Sequence, residues 1–188
     1  MEERLLVTAS PHIRDHSTTR SLMGAVVVAL MPCVLASGLI FGARALLLVA
    51  VTTLACVAFE VLYEWLTHKP NTAGDLSAVV TGIILALNMP VGMPLWIAVV
   101  GAFVAIVIVK QLFGGLGYNI ANPALVARIV LFLGFTARMT AYVYPDMAVD
   151  ALASATPLAD SVDLGAVSFL DMFLGFHGGM LGLSLIHI

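Results

Sequence analysis

Charged residues are what this 188-residue sequence most lacks: 8 Lys+Arg and 11 Asp+Glu make up 10% of it, against about 25% in soluble domains. So little polar surface excludes an ordinary water-soluble globule. The net charge is −3, and there is no basic stripe to neutralise a phosphate backbone, which excludes nucleic acid as a partner. Cysteine is almost missing. Cys33 and Cys56 stand in apolar runs without the paired spacing of a metal site or a disulfide framework. They read as small buried hydrophobes, and no metal is expected. No secretory leader is expected either, because residues 1–20 carry Glu2, Glu3, Arg4, Arg14, Asp15 and Arg20 and show no apolar core before a small-residue cleavage site.

What is abundant is apolar. Hydrophobic residues make up 61% of the chain and mean hydropathy is +1.08, more than one small core can hide, so much of the surface must face lipid. The expected fold class is all-α, a polytopic integral membrane protein. A crossing helix needs about 20 apolar residues, and 21–41 and 44–66 supply them. The second is interrupted only by Glu60 and Glu64 near its end, where carboxylates reach the headgroups or face protein. The run 76–89 covers only about 21 Å at 1.5 Å per residue and lies between Gly74-Asp75 and Pro90, so it reads as a short or broken helix. A fourth run, 94–109, is also short, and a fifth, 123–143, contains Arg128 and Arg138. The organisation expected is therefore a tail (1–20), a five-helix unit (21–143), a loop (144–176) and the start of a sixth helix (177–188). That last stretch is too short to cross, which reads as a truncated chain.

Arg4, Arg14, Arg20, Lys69, Lys110 and Arg128 fall on one side of these spans and Arg44 and Arg138 on the other. The positive-inside rule then places the N-terminus in the cytoplasm and residues 144–176, which hold five Asp and no Lys or Arg, on the outer face. The bland reading of this segment is a solvated acidic loop, and the sharper one a cation funnel.

Several residues invite a chemical reading beside a structural one. Asp75, with Ser77 and Thr81 beyond it, is expected to cap the short third helix. A broken helix that ends at membrane depth would also make Asp75 a candidate for an ion path. The glycine-rich run from Lys110 to Asn119 resembles a phosphate loop only superficially, since it follows a membrane helix and lacks the Lys-Ser/Thr ending; a turn needing positive φ is favoured. Asn122-Pro123-Ala124 reads as an N-cap with proline at the first helical position, and as an ion- or water-path residue only in the channel-like alternative. Arg128 either snorkels to an interface or faces the bundle, where it would suit an anionic group such as a flavin phosphate. Thr156 before Pro157 reads on spacing alone as an ordinary turn. No side chain can be given a catalytic role.

Ser10-Pro11-His12-Ile13-Arg14, Lys69-Pro70, Gly74-Asp75-Leu76-Ser77-Ala78-Val79-Val80-Thr81-Gly82, Lys110-Gln111-Leu112-Phe113-Gly114-Gly115-Leu116-Gly117 and Asn119-Ile120-Ala121-Asn122-Pro123-Ala124-Leu125 occur in that order. Together they resemble the D subunit family of Rnf-type ion-translocating electron transport complexes, related to the B subunit of the Na⁺-translocating NADH:quinone reductase. The resemblance implies two inverted five-helix repeats, of which this chain holds one and a beginning, in the inner membrane. It implies electron transfer between ferredoxin and NAD coupled to Na⁺ or H⁺ translocation. It also implies partner subunits, a flavin transferase for maturation, and FMN joined through its phosphate to a threonine in an Asp-x-x-Ser/Thr-Gly-Ala-Thr motif, with a second, noncovalent flavin elsewhere. Thr156 matches the acceptor, and Asp150 and Ala155 match as well; Ala153 stands where Ser or Thr is usual and Ser154 where Gly is. The rival expectation is a non-redox transporter or channel built on the same broken helices, with Thr156 unmodified.

Overall fold

The computed structural model describes residues 17–69, 72–142 and 180–182. The described residues are helical. Helix α1 spans Thr19–Phe41 and α2 spans Ala43–Leu66, both long and apolar enough to cross a bilayer. Thr18 starts α1, its hydroxyl accepting from the Ser21 amide at 3.2 Å. Only Gly42 separates the two helices, and at φ 77° it takes a backbone conformation that side chains with a Cβ avoid. The pair therefore folds back on itself as a tight antiparallel hairpin, with Gly38 set against the Leu46 side chain.

After a short 3₁₀ turn at Ala73–Asp75, α3 covers Ser77–Leu87 and α4 covers Leu95–Phe103. From Val104–Gln111 the chain continues as a π-helix. Helix α5 spans Pro123–Gly134 and α6 spans Thr136–Met139. The expected third span is thus short, as its length and flanking residues implied. The expected fifth span of 123–143 is interrupted. Phe135 leaves helical geometry at φ −133° and ψ 43°, and its ring sits edge-on to Trp96 with centroids 5.3 Å apart, anchoring the break to the start of α4.

Helix α2 is the spine, packing against α1, α3, α4 and the π segment. Gly82 lies flat on it: a Cβ there would come within 2.6 Å of Thr53 Cα. The core runs along this seam through Leu48, Val49, Leu85, Ala86, Ile97, Ala98, Ala105 and Leu131. Cys56 is buried and Cys33 half-buried, both as free thiols. Outside this seam the helices are oily: Leu39 is 87% exposed and Leu133 75%, surface that water would not tolerate and lipid does. The structure is that of a polytopic membrane protein.

Only part of the C-terminal stretch is described. Residues 180–182 form a turn whose Leu181 and Gly182 amides donate to the Met89 and Leu87 carbonyls at 3.2 and 2.8 Å. They take up carbonyls that α3 leaves unpaired at its end.

Because the Gly82 contact is backbone against backbone, Gly82→Ala forces α2 and α3 apart. The expected loss is about 1–3 kcal/mol, read as a clear fall in thermal unfolding temperature in detergent. An unchanged midpoint would refute the close packing.

Candidate functional site

Glu60 and Glu64 lie four residues apart on α2 and so share a face. Both carboxylates turn into the bundle: Glu60 is wholly buried and Glu64 3% exposed. Glu60 lies six residues, about 9 Å, inside the end of α2. Facing it is Lys110, 1% exposed. Its ammonium group forms an ion pair with Glu60 Oε1 and donates to Ser77 Oγ at 2.7 Å. Gln111 Nε2 donates to Glu60 Oε1 and Glu64 Oε1 at 3.2 and 3.3 Å. Thr72 closes the group: its amide donates to Glu64 Oε2 at 3.0 Å and its hydroxyl to Glu64 Oε1.

Three local irregularities bring these side chains together. The π segment winds through a smaller angle per residue than an α-helix, with the Leu112 amide reaching back to the Val107 carbonyl at 3.1 Å. That geometry lets consecutive residues Lys110 and Gln111 both reach α2. Leu76 takes a left-handed conformation at φ 62°, a strained state for leucine that sets the start of α3 and with it Ser77. Beyond Gln111, Gly114 and Gly115 sit at φ 116° and 92° and turn the chain toward α5, the use expected for this glycine-rich run.

Removing ions from water costs several kcal/mol each, so a buried pair survives only with further hydrogen bonds. Here Ser77, Gln111 and Thr72 supply them. With all three groups ionised, two carboxylates against one ammonium leave the cluster one negative charge. Hydroxyl and carboxylate oxygens of this kind suit a small hard monovalent cation or a proton. Among the described residues no group of three or more His, Cys, Asp or Glu side chains gathers to hold a metal.

Next to the cluster is a cavity of about 320 Å³, lined among others by Ser77, Thr81, Lys110, Asn119 and Asn122. Asn122 caps α5, its Oδ1 accepting from the Ala124 and Leu125 amides at 3.0 and 3.4 Å, with Pro123 at the first helical position. Arg128 faces the bundle and donates to Asn88 Oδ1 at 3.0 Å, so of the two orientations open to it the inward one is found. Asp75 does not cap α3. It ends the 3₁₀ turn, and Leu76, in the left-handed conformation between Asp75 and Ser77, takes the cap position with no side-chain bond. Ser154, Ala155 and Thr156 lie outside the described residues.

Sequence reasoning passed over the cluster itself. Glu60 and Glu64 were visible as paired carboxylates in an apolar span, the default mark of a functional intramembrane site. Lys110, 50 residues further on, read only as a charge flanking the fourth span.

An apolar helical bundle of this kind, with an ion pair and a second carboxylate buried among its helices, belongs to the class of polytopic membrane proteins. A family model described as the NQR2, RnfD, RnfE family matches residues 6–187, and the chain belongs to that family. It is 46% identical to the D subunit of the Na⁺-translocating ferredoxin:NAD⁺ oxidoreductase complex of Acetobacterium woodii, covering 94% of this chain and 56% of the relative. It is 38% identical to the D subunit of the ion-translocating oxidoreductase complex of Vibrio atlanticus, over 95% of this chain and 49% of the relative. Against the D subunit of the proton-translocating ferredoxin:NAD⁺ oxidoreductase complex of Clostridium ljungdahlii the identity is 33%, over 94% and 57%. The chain thus spans about half the length of these relatives.

Removing one partner of the buried pair strands the other. Lys110→Met is expected to cost about 3–5 kcal/mol, seen in denaturant or thermal unfolding in detergent. The double variant Glu60→Leu/Lys110→Met should recover most of it. A loss in the double variant equal to the sum of the losses in Glu60→Leu and Lys110→Met alone would show that the pair is not coupled.

Proposed function

We propose that this chain is part of the membrane-embedded D subunit of an ion-translocating oxidoreductase complex that passes electrons between ferredoxin and NAD and moves Na⁺ or H⁺. The observation that carries the reading is the Glu60–Lys110–Glu64 cluster, two carboxylates and one ammonium group inside an apolar bundle. A purely structural helix bundle gains nothing from such a group, since apolar residues of similar volume stabilise as well or better. Glu60 and Glu64 would hold the cation, Ser77, Thr72 and Gln111 would fix their oxygens, and Asp75, two residues before Ser77, would lie on the approach.

In this reading the subunit lies in the inner membrane with its N-terminus in the cytoplasm, and the loop 144–176 is on the outer face. It works with other membrane and peripheral subunits. Thr156 is the attachment site for FMN, added by a flavin transferase, with Ser154 and Ala155 as small neighbours that let that enzyme approach. Bound flavin supplies the one- and two-electron chemistry that apolar side chains lack. A second, noncovalent flavin belongs to the same reading, without assigned residues. The relatives support membership of such a complex, and the motif around Thr156 supports the flavin. Arg128, turned inward but occupied by Asn88, stays a candidate for an anionic group only if Asn88 yields.

Two experiments test this with the full-length chain in its complex. Glu60→Gln is expected to lower ion translocation into vesicles by at least tenfold, about 1.4 kcal/mol or more in the translocation step, with flavin content unchanged; translocation at the wild-type rate would remove the cluster from the ion path. In a denaturing gel, after co-expression with a flavin transferase, wild-type protein should fluoresce and Thr156→Ala should be dark. A dark wild-type band, with the transferase active on a control, would instead favour a non-redox transporter or channel.

A further inference from the structure

Two buried acceptors at this end of the bundle have no partner among the described residues. Glu60 receives Lys110, Gln111 and, at 3.5 Å, the Thr72 hydroxyl on Oε1, while its Oε2 has no partner among the described residues. Asn119 Oδ1 is likewise buried and without a partner among them. Asn119 and Lys110 line the same cavity of about 320 Å³, on the side of the cluster toward α5. Lysine is a compact charge on a flexible four-carbon stem, suited to more than one position. Its backbone is irregular at this point: the Lys110 carbonyl accepts from the Gly115 amide at 3.0 Å in the π pattern, and Gly114, Gly115 and Gly117 follow at positive φ. Such π segments occur often at functional sites.

We infer that Lys110 is a tethered counter-cation with two stations. In the first, described by the structure, its ammonium group neutralises Glu60 and rests on Ser77. In the second it withdraws into the cavity, where Asn119 Oδ1 accepts from it, and Glu60, with the ammonium group gone from Oε1 and Oε2 without a partner among the described residues, takes the transported cation instead. Return of the ammonium group expels that cation. A positive charge stays near Glu60 throughout, so the carboxylate is never left uncompensated in the apolar interior. Lys110 is then a positioning and displacing residue, competing with the cargo for the same oxygens. The inference rests on the reading of the cluster as the ion-handling site.

The test uses the full-length chain in the assembled complex, reconstituted in vesicles. The turnover rate is titrated with Na⁺ at fixed pH and with H⁺ at fixed Na⁺, and followed in whichever titration the wild type responds to. Lys110→Gln removes the competitor, so the half-saturating cation concentration should fall about tenfold or more. Maximal turnover should fall too, because nothing expels the cation. Asn119→Leu removes the second station and keeps Lys110 on Glu60, so the half-saturating concentration should rise several-fold. Opposite shifts are a signature that general loss of structure does not give. Wild-type half-saturation in both variants, or shifts of the same sign, would overturn the inference. Should Lys110→Gln fail to assemble, Asn119→Leu decides alone, and an unchanged half-saturation overturns it. Glu60→Gln separates the two levels: normal translocation in that variant refutes the ion-site reading itself, whereas loss there with both other variants unshifted refutes only the role of Lys110.

Discussion

The Lys110–Glu60 pair has to be buried as a pair, and the geometry at this end of the bundle serves that requirement. Helix α2 delivers Glu60 and Glu64 on one face by their spacing alone. The other partners arrive through departures from regular structure: the left-handed Leu76 sets Ser77 at the start of α3, and the π winding of Val104–Gln111 brings Lys110 and Gln111 across together. Each departure has a cost in backbone energy. The pair itself adds little stability against an apolar filling of the same space. Strain and desolvation accepted at one place, for little gain in stability, are what the proposed ion-handling role accounts for.

A second constraint comes from lipid, which offers no water to backbone groups freed where helices break. The hairpin between α3 and α4 shows how the chain meets it. The Asn88 side chain turns back to the Ile84 carbonyl at 2.7 Å and accepts from Arg128. Arg44, at the start of α2, donates to the Val91 carbonyl at 3.2 Å, and the Leu181 and Gly182 amides cover Met89 and Leu87. Two of the chain's few arginines are thus used to hold a break in place. Along the sequence Arg44 read as an ordinary charge at a span end and Arg128 as either snorkelling or facing the bundle, and charge counting has no way to distinguish an arginine that snorkels from one that turns inward to a protein oxygen.

The same division runs through the rest of the fold. Helices α1 and α2 were legible to within about two residues because length and apolarity decide them, and the shortness of α3 was legible from Gly74-Asp75 and Pro90. The Asn122 cap was legible because capping is local. Asp75 was misread by one residue: a positive φ at a leucine is not predictable from propensity, and it decided which residue stood at the helix start. The end of α5 depended on Trp96 meeting Phe135, a tertiary contact. The ion pair joins residues 50 apart, so only the packing of α4 on α2 reveals it. Thr156 stands apart from these, since it was singled out by likeness to a motif and local physics gives it no distinction from an ordinary turn.

Charge accounting links the cluster to both kinds of cargo considered for it. When the Lys110 ammonium group leaves Glu60, one monovalent cation replaces its charge there, whether that cation is Na⁺ or a proton. What separates them is how many oxygens can close around the ion. A proton needs one carboxylate oxygen, and Glu60 Oε2 has no partner among the described residues. Sodium needs several, which Glu60 and Glu64 can supply only with Ser77 and Thr72 turned toward the ion and Gln111 turned so that its amide oxygen, rather than its nitrogen, faces it. In the structure the Gln111 nitrogen faces both carboxylates and Ser77 accepts from Lys110. Those two orientations are set by the presence of Lys110 and the negative charges, so the position of one ammonium group governs both the charge of the site and how many oxygens it can offer.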